Sequence, residues 1–309
     1  MATLGIRARR FRNPFNTRNG PHQPNISRLK CIKYAQVVGN AHYSRAFNHS
    51  ATATALASYR AMAVRCALDF TGTAVQRSNG YTSLESTEKM NLSYWIGMTF
   101  SAIAADVVLG VRRTFHAGIH PRVGRVNPAS RSLADLIGQD VQNRWHVIEG
   151  KGRQTNPNAA DRRAWKAQAR TIRSVNGTLV STRSYCIGFI DIPCAVEITD
   201  PPADKHRGHD IKIDRTKYYS GLIEILRKGH SQVVRREDRT FRVTLMAFDP
   251  IDKEYIFMGL EEIFVGGDSF EFVKEIDTDG IYIGTDGIAI MSSRWPCQPI
   301  GIIHSKRGP

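Results

Sequence analysis

The chain has 309 residues, 41% of them hydrophobic, and a formal charge of +15, enough for one large domain or two ordinary ones with a core of their own. Polar and charged residues interrupt the two most apolar stretches, around Leu92 to Val111 and Ala51 to Leu68, so no membrane span is expected and the protein reads as soluble and cytoplasmic. Five scattered cysteines with no CxxC pair, and the lack of an HExxH motif, exclude a disulfide framework and a structural zinc site.

The charge is unevenly spread. No Asp or Glu precedes Asp69, while eleven Arg and Lys do, among them Arg7, Arg9, Arg10 and Arg12. Pro14, Pro21 and Pro24 with several Asn and Gly make residues 1–30 an expected irregular arm, and residues 1–50 a basic N-terminal segment. An acid-free basic arm suits a polyanion, since each neutralised phosphate releases counterions. A solvated tail or an organelle transit peptide has the same composition.

Residues 51–68 are alanine-rich and helix-compatible. In "NLSYWIGMTFSAIAADVVLG" (91–110), Ile96, Phe100, Ile103 and Val107 recur at helical spacing, and Met98, Ala102, Ala105 and Leu109 make the rest of the circumference apolar. This predicts a deeply buried helix ending at Gly110. A basic loop between Pro121 and Pro128 follows, then "SLADLIG" (132–138) as a short strand and "RWHVIEGK" (144–151) as its hairpin partner. "AADRRAWKAQARTIRSV" (159–175) reads as a basic helix, and "VSTRSYCIGFIDI" as a further strand. The order points to an α/β layer with a mixed sheet. The polar stretch 199–210 marks a possible boundary, beyond which a helix at "YYSGLIEILRK" and several strands form an α/β extension, 199–309.

Alternation in a strand puts Trp145, Val147, Glu149 and Lys151 on one face, and Leu133, Asp135 and Ile137 on one face of the preceding strand. If the two strands pair, Asp135 lies beside Glu149. Two carboxylates and an ammonium then converge where apolar strands meet solvent. Carboxylates brought together repel, and a hard divalent cation removes that penalty. Mg²⁺ (or Mn²⁺) held by Asp135 and Glu149 could polarise a phosphodiester, with Lys151 orienting or deprotonating water. The bland alternative is an edge-strand charge pair that discourages aggregation.

"SLADLIG" followed by "WHVIEGK" resembles the PD-(D/E)xK, or restriction-endonuclease-like, nuclease superfamily, with Asp135 as the first acid, Glu149 as the second and Lys151 as the lysine. Ala134 stands where the usual proline would be. The resemblance covers about residues 91–190 and implies a core of helix, three-stranded meander, helix and strand, here within 51–198. It also implies Mg²⁺-dependent phosphodiester cleavage, DNA favoured over RNA, in restriction, phage defence or repair.

Asp106 matches an acid that the family often adds from the preceding helix as a metal ligand; a hydrogen bond to a nearby loop is the alternative. Gln168 matches a glutamine that some branches place on the following helix. Arg153, Arg162, Arg163, Lys166, Arg170 and Arg173, with Arg7, Arg9, Arg10 and Arg12, are expected to hold the phosphate backbone without reading sequence. The alternative function is a non-catalytic nucleic-acid-binding or assembly protein that keeps the fold, and the extension could recruit a protein partner or a second copy. "EGKGRQT" lacks the spacing of a phosphate loop. "DIK" at 210–212 has no paired strand upstream. "TDG" (285–287) reads as a hairpin turn, with Asp277, Asp279 and Asp286 as solvated turn residues.

Overall fold

The computed structural model describes residues 1–46, 50–117, 121–122, 133–201, 208–215, 218–228, 231–236, 238–265, 272–278, 280–294 and 298–302. Among them are seven α-helices: α1 (Arg28–Ala46), α2 (Ser50–Ala67), α3 (Asn79–Ser83), α4 (Ser86–Leu109), α5 (Ala159–Ala169), α6 (Ser220–Lys228) and α7 (Glu262–Val265). The chain divides into one unit of Met1–Ile26 with Ala63–Asp214, and a second of Ser27–Met62 with Arg215–Pro309.

The first unit is built on a seven-stranded mixed sheet. Its strands are β1 (Gly5–Arg9), β2 (Gly20–His22), β3 (Val111–His116), β4 (Leu136–Asp140), β5 (Trp145–Arg153), β6 (Thr182–Phe189) and β7 (Ala195–Thr199). Their order across the sheet is β2-β1-β7-β6-β5-β4-β3. β3, β4 and β5 form an antiparallel meander, and β6 returns parallel to β5 after α5.

α4 begins in a reciprocal cap, where the Glu85 carboxylate accepts from the Glu88 N–H and the Glu88 side chain accepts from the Glu85 N–H. It ends at Gly110, whose φ of 72° is the left-handed geometry glycine tolerates. By length and composition α4 could cross a membrane, but 83% of its most apolar window is buried inside the protein, as a core helix would be. It lies on the face of β5 that carries Gly150 and Gly152. A side chain on Gly152 would overlap the Ser93 carbonyl, and one on Gly97 would overlap the Gly152 backbone. Glycine on both elements is what lets helix and strand touch.

α5 covers the opposite face. Asn158 caps it by accepting from the Asp161 N–H at 2.9 Å. Trp165 then packs on Tyr185 and Ile187, which pair across the sheet with Glu149 and Lys151. Glu149 and Lys151 therefore point to the α5 side.

The N-terminal segment is not an irregular arm. β1 pairs parallel with β7, residue for residue from Gly5–Ala195 to Arg9–Thr199. Ile6 and Ala8 are buried while Arg7 and Arg9 stay exposed, so the period-two pattern of a half-buried strand overrides the turn-rich sequence around it. The basic helix also stops early, at Ala169. Residues Ile172–Val175 form a strand that pairs with His209–Ile213, which keeps 199–214 in the first unit rather than in the extension.

The second unit carries an antiparallel sheet of seven strands: β8 (Ser231–Arg236), β9 (Arg239–Asp249), β10 (Glu254–Glu261), β11 (Ile276–Thr278), β12 (Ile281–Ile283), β13 (Ile288–Ser292) and β14 (Gln298–Ile302). Val234, Phe241, Val243, Ile281, Ile283, Ala289 and Met291 form its core. The turn "TDG" does join β12 to β13, but Asp286 is fully buried rather than solvated. It accepts from the Tyr218 hydroxyl at 2.8 Å and pairs with the Lys33 ammonium at 2.9 Å, the partners a buried charge requires. Tyr218 and Tyr219 are buried as well. Asp279 lies outside the described residues.

Candidate active site

The register of two strands brings the acids together. Ile137 sits opposite Val147 and Leu136 opposite Ile148, so Asp135, one step before β4, comes level with Glu149. The contact is reciprocal. The Asp135 N–H donates to Glu149 Oε2 at 3.2 Å, and the Gly150 N–H donates to Asp135 Oδ2 at 3.0 Å. The Lys151 ammonium touches Glu149 Oε1 and stands 3.6 Å from Asp135 Oδ2. Among the residues described, these three side chains form one cluster, as alternation along the strands predicts.

Glu149 is fully buried, whereas 20% of the Lys151 side chain is exposed. Burial pushes the Glu149 carboxyl up, the Asp135 charge pushes it further, and Lys151 only partly offsets both, leaving it at about 8 instead of 4.5. Glu149 Oε1 is a buried oxygen without a hydrogen bond of normal geometry, in ion contact with Lys151. Two carboxyl groups this close, one of them buried, are a donor pair that suits a small divalent cation taking its remaining ligands from water and phosphate. Among the described residues no three of His, Cys, Asp and Glu gather as a metal cluster; Asp135 and Glu149 stand as a carboxylate pair.

β4 ends its pairing at Leu136–Ile148, so the last residues of β5 lose their neighbour on that side. A pocket of about 700 Å³ opens there, with Lys151, Arg153 and Gln154 on the strand end, Trp165 and Gln168 on α5, and Tyr94 on α4 among its walls. Gln168 thus shares a pocket with Lys151. Thr171, absent from the sequence reading, ties the end of α5 to the residue before Asp135: its hydroxyl donates to the Gln168 carbonyl at 2.8 Å and accepts from the Ala134 N–H at 3.2 Å. A residue just past a helix end and beside the first acid gives no periodic signal.

Asp106 does not join the pair. It is buried in the last turn of α4, and its Oδ1 accepts from Arg112 at 2.5 Å. This is the hydrogen-bonded alternative, and Arg112, six residues on, supplies the compensating charge.

The basic residues fall into three groups. Arg9, Arg10, Arg162, Arg163 and Arg170 surround a groove of about 740 Å³ on the far side of α5, with Glu197 as its carboxylate. Arg162 pairs with Glu197, and Arg9 stands 3.8 Å from it. Arg153 stacks over the Trp165 ring at 5.1 Å, at the edge of the Lys151 pocket. Arg7 and Arg12 are exposed, Arg12 beside a separate pocket near Phe11 and Thr182.

Two expected phosphate contacts are corrected. Lys166 is buried, its ammonium on Asp200 at 2.7 Å and on the Arg183 carbonyl, because its position on α5 turns toward the sheet. Arg173 lies on the strand after the helix and forks onto Asp210, the same aspartate that begins "DIK". Comparison with protein-family models, with curated proteins and with solved structures returns no match.

Proposed function

We propose that this chain is a divalent-cation-dependent nuclease of the restriction-endonuclease-like, PD-(D/E)xK type, hydrolysing phosphodiester bonds, in DNA by the family resemblance. The observation that carries the reading is the reciprocal backbone clasp between Asp135 and Glu149, with Lys151 against both. The element order around it is the one the resemblance implies: buried helix, antiparallel meander, helix, then a strand parallel to the third.

In this reading Asp135 and Glu149 would hold Mg²⁺ (or Mn²⁺), and the ion would supply Lewis-acid polarisation of the phosphodiester and a lowered pKa for water. Lys151, in ion contact with Glu149, would donate to a phosphate oxygen as charge develops there or, once its own proton has passed to solvent, take one from the attacking water. Gln168, whose backbone Thr171 anchors, would orient groups in the same pocket. Arg153 receives a flanking phosphate, and the groove beyond α5 holds the backbone further along through Arg9, Arg10, Arg162, Arg163 and Arg170. Restriction, phage defence and repair are settings in which such an activity serves.

One observation favours the non-catalytic alternative: the Lys151 ammonium already sits in ion contact with Glu149, as in a structural ion pair. The test is cleavage of linear, circular and single-stranded substrates with Mg²⁺ or chelator, beside Glu149→Gln and Lys151→Ala. Metal-dependent cutting lost in both variants supports the nuclease. Salt-sensitive binding with no cutting under any metal supports the alternative.

A further inference from the structure

The pocket at the end of β5 has a second character. Its lining includes three cations, Lys89, Lys151 and Arg153, and no carboxylate among the described residues. Between them lie apolar and aromatic surfaces. Tyr94 is 41% exposed and Met90 65% exposed, both on the N-terminal half of α4, a helix otherwise apolar toward the core. The Tyr94 ring is braced edge-on by Trp95, centroids 5.1 Å apart, and it lines the pocket. Across the pocket, Trp165 carries Arg153. Two of its lining residues are polar and linked through a buried tyrosine: Gln154 Nε2 donates to the Tyr81 hydroxyl at 2.6 Å, which meets Ser93 Oγ at 2.6 Å. An occupant suited to all of this is anionic and flat, with a hydrogen-bonding edge.

We infer that this pocket seats one unpaired nucleotide next to the bond to be cut, with its base on Tyr94 and Met90, its base edge toward Gln154 and its phosphates on Lys89, Lys151 and Arg153. The inference rests on the nuclease reading and adds a substrate class: single strands, flaps or duplexes with an extruded nucleotide. About 700 Å³ holds one nucleotide with its water. A paired base must first leave its stack to enter, and that cost is smallest for a base that is already unpaired. Aromatic stacking is indifferent to base identity, so the seat selects for strandedness rather than sequence.

The test uses the full chain. Binding of a labelled 12-mer is measured by anisotropy in Ca²⁺, as single strand and as blunt duplex, and cleavage is measured in Mg²⁺ on both and on a duplex with one extra unpaired nucleotide. The single strand should bind more tightly than the duplex. Tyr94→Ala should weaken that binding about tenfold while Tyr94→Phe retains it. Cutting should be at least about tenfold faster on the single strand and next to the unpaired nucleotide than on paired duplex. If Tyr94→Ala does not fold, Met90→Glu serves, because that exposed site accepts a charge that repels phosphate. Equal cutting of paired duplex, unchanged in the Tyr94 and Met90 variants, overturns the seat and leaves the nuclease standing. Tyr94-dependent binding with no cutting of any substrate overturns the nuclease and supports the pocket as a nucleotide site.

Discussion

Glu149 is the residue on which the site's electrostatics turn. With its carboxyl raised to about 8 from 4.5, the folded chain holds a proton that the unfolded chain has released throughout that window. Stability therefore falls as pH rises from about 5 to about 8, by at most about 1.4 kcal/mol per unit. Thermal melts of metal-free protein across this range should show the decline, Glu149→Gln should flatten it, and Mg²⁺ should restore most stability at the upper end. A wild-type profile as flat as the variant's would show that Glu149 is already ionised in the apo fold. Lys166 is a contrasting case. Lys166→Ala leaves Asp200 without its ammonium and should cost a few kcal/mol of stability, read as a lower denaturant midpoint.

Between elements, the most demanding contact is the glycine meeting of α4 and β5. Gly152→Ala drives a methyl into the Ser93 carbonyl, and backbone cannot rotate away as a side chain can. The expected loss is about 2–3 kcal/mol, with any cleavage falling alongside because Lys151 precedes it; an unfolding free energy within about 0.5 kcal/mol of wild type would refute the tight approach. A polar tie in the same sheet joins β4, β5 and β6: buried His146 bonds Asp140 at 3.2 Å and Thr182 at 3.0 Å. Burial pushes the Asp140 carboxyl up, and hydrogen bonds from His146 and Arg144 outweigh it.

These elements differ in how far the sequence announces them. Helix α4 is legible from its apolar residues at helical spacing and strand β5 from its alternation, which alone sets Glu149 and Lys151 on one face. The neighbour relation of Asp135 follows from the hairpin. β1 is obscured because its partner β7 lies about 190 residues away and prolines follow it. Lys166 looks solvated until Asp200, which the fold brings under it, is known. Because β1 is a sheet strand, deleting residues 1–30 would remove part of the fold along with its charges; point substitutions are the proper test of the basic groove.

Across the whole chain, the +15 charge acts through particular faces. Arg10→Ala and Arg163→Ala, on exposed residues of the groove, should each lower the slope of log affinity against log salt for nucleic acid by about 0.7–0.9. Slopes equal to that of the wild-type protein in both variants would remove the groove from the binding path.

The measurement that bears most directly on the central claim is a single cleavage assay on short single-stranded DNA, run with Mg²⁺ and with chelator, for wild type, Asp135→Asn, Glu149→Gln and Lys151→Ala. Strand scission in Mg²⁺ alone, reduced at least about 10²-fold in every variant, is the predicted result. Scission that persists in chelator, or that the three substitutions leave intact, would contradict a catalytic role for the carboxylate pair and its lysine.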